Sequence, residues 1–395
     1  MKTAIVGGGA AGFFLAINLK EMMPEMDVSI FERSKRVLAK VEISGGGRCN
    51  CTNSFASVMD LKLVYPRGHQ LMKRLFKVFD YHNAYDWFEH HGVPLVTQDD
   101  DCVFPMSQDS HTIIQCFMRE ARQHDVHIFT EKRIESLEEL EEFDYVAITT
   151  GGSPRREGLR WLESSGVKIV SPVPSLFTFN VNDEGLRSLM GMVIENASVM
   201  IPATKMKANG ALLITHWGMS GPAILKLSSY AARLLHENDY RLPIAVNWTG
   251  RQSAEVMEEL MKCMVENAQK QLTNFRPFDL PGRLWNYLLE KSLGARCTNR
   301  WGNINQKELN RLANVLCNDV YQIEGRAAFK DEFVTCGGIS LDSVHPQTLE
   351  CKTRPRLYFA GEILDIDGIT GGFNFQAAWT TAYVVAQAIA KKERF

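Results

Sequence analysis

Lys2-Thr-Ala-Ile-Val-Gly-Gly-Gly-Ala-Ala-Gly12 stands at the start of the 395-residue chain. Thr3 to Val6 reads as a short buried strand, and Gly7, Gly9 and Gly12 give the spacing GxGxxG. Residues from Ala10 to about Met22 then read as a helix. Each glycine in that spacing has a physical task. Gly7 permits a tight turn, Gly9 lacks the Cβ that would block a pyrophosphate, and Gly12 lets the helix pack closely on the strand. The first helical amides, at Ala10 and Ala11, then face the anion. A second strand, Asp27 to Phe31, ends in Glu32, about 20 residues past Gly12, where a carboxylate accepts from a ribose 2′-OH. Arg33 lies beside it. Strand, turn, helix, strand and acid occur in the order of a dinucleotide site.

Length and composition bound the rest. A chain of this size makes two or so domains, and 45% apolar residues suit a protein with a sizeable core. Forty-four basic residues against 46 acidic ones leave a net charge of −2, so no global field favours nucleic acid. Nine cysteines lie scattered without paired CxxC motifs, which fits reduced thiols in a cytoplasmic protein better than a disulfide framework. No metal site is expected. The apolar start imitates a signal peptide, but GxGxxG falls inside it. No uncharged run reaches the ~18 residues of a membrane span, so no membrane partner is expected.

Downstream, Ser44-Gly-Gly-Gly-Arg-Cys-Asn50 makes a loop of exposed amides at Gly46 and Gly47, where backbone can approach a phosphate or a flavin edge. Arg48 can pair with phosphate in a bidentate way; the alternative is a solvent loop held by Asn turns. Cys49 and Cys51 invite a redox reading, but a disulfide across one residue is strained, and a cysteine lining the cofactor fits better. His69 to His91 reads as one or two amphipathic helices ending at Gly92. Strands are expected at Val93–Val96, Cys102–Phe104, Val126–Phe129 and around Arg133 to Leu137, the last carrying Ile134, with a helix from Ser110 to His124. Asp144 to Thr150 is a buried strand ending in Thr150-Gly151-Gly152, where small residues let a ligand come close.

From Val167 the character changes. Ser171-Pro-Val-Pro-Ser175 reads as an extended connector. Val181, Val193–Met200 and Ala211–Thr215 suggest antiparallel strands. Ser220 is the expected N-cap of a helix running to about His236, and Leu242–Trp248 is another strand. Residues 253–318 are largely helical. The expected division is 1–187, an inserted domain at 188–330, and 331–395 returning to the first domain. That last part holds the strands Phe333–Gly338 and Leu357–Glu362, then a glycine loop with Asp365, Gly371 and Gly372. A long helix follows, preceded by Phe373 and Asn374. A strand, Gly361-Glu362, a Gly-Gly turn and a helix are what the ribityl-flavin half of FAD needs: the acid accepts from ribityl hydroxyls and the helix start faces the flavin's N1–C2=O edge. FAD rather than NAD is therefore the expected resident cofactor. Lys40, Ser44 and Cys49 join the candidate binding set.

With these motifs in place, the chain resembles the bacterial NAD(FAD)-utilising dehydrogenase flavoproteins, the BaiN/YhiN-like family. The match rests on Gly7–Gly12, Ser44–Asn50 with Thr52-Asn53, Val103-Phe-Pro105, Thr215-His216 with Ser220-Gly-Pro222, Val334-Thr335 with Gly337-Gly338, and Ala360-Gly-Glu362 through Gly372. The resemblance implies an α/β fold: a glutathione-reductase-like FAD-binding Rossmann domain interrupted by an insert domain with a β-barrel-like part and helices. It also implies non-covalent FAD and oxidoreductase chemistry. Glu42, the Asp99-Asp-Asp-Cys102 turn and Cys51 depart from the family pattern.

The expected function is an FAD-dependent reductase or dehydrogenase of a small organic substrate, which the family analogy extends to an activated C=C bond. No second GxGxxG exists, so NAD(P)H would bind transiently at the flavin face. An oxidase of a small amine, an FAD-dependent nucleic-acid modifier and a flavin-binding structural protein are the alternatives. Near-neutral charge argues against nucleic acid. His216, before a glycine turn, is the candidate proton shuttle; its competing role is a hydrogen-bonded structural histidine. Substrate identity and oligomeric state are not encoded in any motif.

Overall fold

The computed structural model describes residues 1–153, 155–326 and 334–394. The chain forms two units, Met1–Pro174 with Val334–Phe395, and Ser175–Phe333.

The first unit is organised by five parallel strands in the order Leu357–Phe359, Tyr145–Ile148, Lys2–Val6, Asp27–Phe31, His127–Phe129. Lys2–Val6 takes the centre because its last four residues are buried, as an aliphatic strand covered on both faces requires. The helix Ala10–Met22 buries every residue from Ala11 to Leu19, so it is an interior helix rather than an amphipathic one. It lies against the helix Phe373–Arg394. Phe14 joins the two to the helix Tyr81–His90, with ring centroids 5.2 Å from Trp379 and 4.6 Å from Trp87. A small antiparallel sheet, Thr52–Asn53, Cys102–Pro105, Leu95–Thr97, sits apart from the parallel one.

Two expectations for this unit change. Residues 133–137 form no strand. The Glu135 and Ser136 amides donate to the Glu139 carboxylate at 2.8 and 3.1 Å, which starts the short 3-10 turn Glu138–Leu140 instead. The stretch read as a connector is the strand Ile169–Ser175, paired with Val334–Ile339. Prolines at alternate positions 172 and 174 leave the intervening amides free to pair, which an edge strand tolerates.

The second unit contains a closed barrel of six strands, in the order Val193–Met200, Lys207–Ile214, Gly218–Ser220, Phe179–Val181, Asp319–Arg326, Pro243–Asn247. Asp319–Arg326 shows the period-two burial of a stave, inward residues alternating with exposed ones. Three helices, Ser253–Glu266, Gly282–Leu293 and Gln306–Cys317, pack their leucines into the same core. Because Phe179–Val181 is a stave, this unit begins at Ser175 rather than at the expected 188; the other expected boundary, 330/331, and Phe333 lie outside the described residues. Ser220 is not the N-cap. It belongs to a stave and its Oγ meets Thr178 Oγ1 at 2.9 Å, while Gly221, at φ +89, caps the helix Pro222–Tyr230. That helix stops at Ala231, and Ala232–Glu237 forms a second one. No helix among the described residues is long and apolar enough to cross a membrane.

The tightest backbone approach lies at Gly12, where a Cβ would collide with the Gly7 carbonyl oxygen. Gly12→Val is expected to destabilise the first unit by about 3 kcal/mol or more, the upper end for overpacking. Urea unfolding followed by far-UV circular dichroism reads this; an unchanged midpoint would contradict the packing assigned to Gly12.

Candidate functional site

The glycine motifs meet at the carboxyl ends of the parallel strands, the edge at which open α/β sheets receive ligands. Gly7 has φ +118, and a Cβ there would strike the Thr149 carbonyl. Its N–H donates to the Phe31 carbonyl at 2.8 Å, and Thr149 Oγ1 donates to its carbonyl at 2.9 Å. Three strand ends are thus locked around one glycine. Gly9 is different, since a Cβ added there would meet nothing within 4 Å. The first amides of the helix, including those of Ala10 and Ala11, have no intrahelical partner. Open space over Gly9 and free amides beside it form a cradle that a pyrophosphate would fill.

Glu32 stands at one side. Its Oε2 accepts from the Gly8 N–H at 2.9 Å and its Oε1 from the Ser34 N–H at 2.8 Å. A carboxylate has about four acceptor positions, so the one that shapes the glycine turn still has room for a hydroxyl. Arg33 is exposed. Ile134 is buried, just past Lys132, whose N–H donates to the Glu32 carbonyl at 2.9 Å.

On the other side, Glu362 occupies the corresponding place. Oε2 accepts from Lys40 Nζ at 2.9 Å and Oε1 from the Thr335 N–H at 2.9 Å. Gly152 is required here, because a Cβ would lie 2.6 Å from Glu362 Oε1. Thr150 is exposed, and Gly151 turns at φ +74. Gly361, at φ +79, abuts the first helix: a Cβ would come 2.9 Å from that of Ala11. Both ends of the chain therefore border one continuous edge.

The Ser44–Asn50 loop completes that edge. The helix Ala39–Gly47 breaks at Ser44 (ψ 150), and Gly45 and Gly46 adopt left-handed conformations. Gly46 and Gly47 face open space, with nothing within 4 Å of an added Cβ. Arg48 stacks 4.2 Å over the Phe104 ring and donates to the Gly45 carbonyl (3.2 Å) and Gln108 Oε1 (3.3 Å). With its amide oriented to satisfy both sides, Asn50 donates to the Thr52 carbonyl at 2.8 Å and accepts from the Gly372 N–H at 3.1 Å. Gly372 has φ +87, and any side chain there would strike the Thr52 carbonyl. Asn53 Nδ2 donates to the Gly371 carbonyl at 3.0 Å. Asn374 closes the loop through Gly368, Phe373 packs edge-on against Phe55, and the Asp365 N–H donates to the Ile339 carbonyl.

Further residues outside the candidate set hold this edge in place. Asp367 is fully buried and pairs with Arg67, with Nε 2.6 Å from Oδ1 and a second bond from Nη2 to Oδ2. The pair holds the Asp365–Gly372 loop from 300 residues away. Thr335 was quoted only as part of a motif, yet its N–H orients Glu362. Gln376 meets Thr52 Oγ1 at 2.5 Å.

Cys49 and Cys51 are fully buried and unbridged. Burial pushes the Cys49 thiol up to about 12 and holds Cys51 well above its ordinary value. A thiolate at neither position is available near neutral pH, so a redox pair is unsupported by the chemistry of the site. His216 belongs to the second unit. It is exposed on the turn between the Lys207–Ile214 and Gly218–Ser220 staves, with its ring against Trp217. No group of three or more metal-ligating side chains occurs among the described residues.

Comparison with known proteins agrees with this architecture. The family described as HI0933-like protein Rossmann domain matches residues 1–388. A 3-dehydro-bile acid delta(4,6)-reductase of Clostridium scindens is 26% identical, over 99% of each chain. Ribosomal RNA dihydrouridine synthases of Haemophilus influenzae and Escherichia coli are 24% and 25% identical, covering 98% and 97% of this chain and 98% and 96% of their own.

Two outcomes follow from the buried groups. Arg67→Leu removes the charged partner of the buried Asp367 and is expected to cost about 3–5 kcal/mol. The Arg67→Leu/Asp367→Leu double variant should recover much of that loss in urea unfolding, and equal losses in both would refute the pairing. Cys49 resists thiol reagents at pH 8 in the folded protein. Its proton is held from the ordinary 9.0 up to about 12, so its contribution to stability is complete below about pH 9 and lost as pH rises towards 12. The melting temperature should fall across that window, and less steeply in Cys49→Ala.

Proposed function

Because the chain belongs to the HI0933-like protein Rossmann-domain family, we propose that it is an FAD-dependent oxidoreductase that saturates a carbon–carbon double bond conjugated to a carbonyl. The observation that carries the cofactor is the run of open glycine positions, Gly9, Gly46 and Gly47, between two carboxylates that keep free acceptor capacity, Glu32 and Glu362. Bound there, FAD would supply the hydride chemistry. Glu32 would take the adenosine ribose, the amides at Ala10 and Ala11 the pyrophosphate, and Glu362 the ribityl chain. Lys40 orients Glu362 through its Nζ–Oε2 contact. Gly371, Gly372 and the start of Phe373–Arg394 would present amides to the flavin's carbonyl edge, held by Asn50 and the Arg67–Asp367 pair.

The reaction class rests on what the relatives' names have in common. A delta(4,6)-reductase of a 3-dehydro bile acid and a dihydrouridine synthase both add hydrogen across a C=C bond conjugated to a carbonyl. The reduced bond needs a hydride and a proton; the buried Cys49 thiol, held up to about 12, is a poor proton donor. NAD(P)H is the proposed electron donor, binding transiently because the chain has one GxGxxG only. Free thiols throughout the chain support a cytoplasmic setting.

A second reading of the substrate, a uracil base within RNA, is favoured by the two ribosomal RNA dihydrouridine synthases, each aligned over nearly the whole chain.

The deciding experiment is anaerobic. NADPH and NADH are each mixed with the yellow holoprotein, and the visible flavin band is followed. The reduced protein is then offered a steroidal enone, uridine and ribosomal RNA. Bleaching followed by reoxidation with one of them is expected. A flavin that neither nicotinamide bleaches removes the donor, and reduced protein that only oxygen reoxidises removes the reductase reading.

A further inference from the structure

We infer that the second unit carries a phosphate-binding groove for the backbone of an RNA substrate, formed between the helices Gly282–Leu293 and Gln306–Cys317. This inference rests on the RNA reading of the substrate. Lys307, Asn310, Arg311 and Asn314 follow one another at helical spacings of three and four residues, and all four are exposed. Together with Lys291 they line an open surface groove of about 420 Å³ to which no carboxylate contributes.

Charge balance separates this face from an ordinary solvated helix surface, on which acids and bases alternate. The single acid of Gln306–Cys317, Glu308, is buried on the other side and paired with Arg296 at 3.0 Å. Lys307 and Arg311 are left without a carboxylate partner within ion-pair distance among the described residues. Lys291 is placed by a fixed support. Its ammonium lies 2.6 Å from Asp319 Oδ1 and 3.9 Å above the Tyr321 ring. Asp319 is itself buried and accepts from Trp248 Nε1 at 3.0 Å and Tyr321 OH at 2.6 Å through its other oxygen. Asp319 neutralises Lys291, so the groove's excess charge comes from Lys307 and Arg311, with Asn310 and Asn314 as neutral donors. Two cations with interleaved amides suit phosphate and sugar oxygens, which orient nucleic acid without reading its sequence. The chain as a whole is slightly acidic, so the attraction is local to this face.

The test uses the full-length holoprotein and a fluorescein-labelled oligouridylate, with anisotropy read across a salt series. The wild-type protein should bind with an affinity that falls steeply with salt. Lys307→Glu/Arg311→Glu should weaken binding by about tenfold or more at low salt, and Lys307→Gln/Arg311→Gln should lower the log–log salt slope by about 1.4, two single-strand phosphate contacts. Lys205→Glu/Lys207→Glu, on an exposed barrel hairpin, is the charge-matched control. Absence of wild-type binding, or equal losses in groove and control variants, overturns the groove. Reoxidation of the reduced flavin by a free enone or uridine, measured on the same preparations, reports separately on the reductase proposal.

Discussion

The first unit depends on one close approach of backbone to backbone. Gly12 sits against the Gly7 carbonyl, Gly7 sits against Thr149, and Gly361 sits against Ala11. These contacts set the height of the first helix over its sheet and bring the start and end of the chain to the same edge. A methyl group at any of the three glycines in that stack would push the elements apart. The aromatic cluster of Phe14, Trp87 and Trp379 can close only once that distance is set. Hydrophobic burial supplies most of the stabilisation, but the glycines decide where the buried surfaces meet.

Polar groups at the edge serve two purposes at once. Glu32 and Glu362 each accept from a backbone amide, which rigidifies a turn and leaves acceptor positions facing outward. Asn50 accepts from the Gly372 N–H and Asn53 donates to the Gly371 carbonyl, which together hold the Gly371–Gly372 turn. The Arg67–Asp367 pair anchors the loop from below, where desolvation makes either partner costly without the other. A cofactor entering such an edge meets donors and acceptors already oriented, so little ordering remains to oppose binding.

Local signals carried much of the fold. The helix Ala10–Met22 and the strand Asp27–Phe31 have the expected limits because glycine spacing and aliphatic runs act within a few residues. The long final helix and the largely helical character of 253–318 were visible for the same reason. Closure of the barrel was implied only by family resemblance, since the staves Phe179–Val181 and Gly218–Ser220 have three residues each, too few to show a period. Ser220 looked like a cap because its residue type fits one; pairing with Thr178 in the neighbouring stretch determined its role instead. Arg67 and Asp367 are 300 residues apart, and no spacing rule connects them. The cofactor edge was legible as separate motifs, whereas the contacts that join them were not.

The positions at which this chain departs from its family's pattern are each taken up by their own neighbours. Glu42 lies 3.9 Å from Arg36 and from His111, on the surface. Asp101, at the end of the acidic turn, accepts from Ser54 Oγ at 2.8 Å and from the Ser57 N–H at 3.2 Å. Cys51 is buried, its thiol 3.3 Å from the Val103 carbonyl. Each departure is thus absorbed by a neighbour within its own unit, the acid by a serine loop, the thiol by a strand. None opens or fills the space over Gly9, Gly46 or Gly47. A cofactor edge insulated in this way can stay constant while the substrate changes, which is the pattern expected of relatives whose names include a steroid reductase and RNA-modifying enzymes. An uncompensated cationic helix face is one kind of surface that attracts a polyanion more strongly than a singly charged or neutral small molecule.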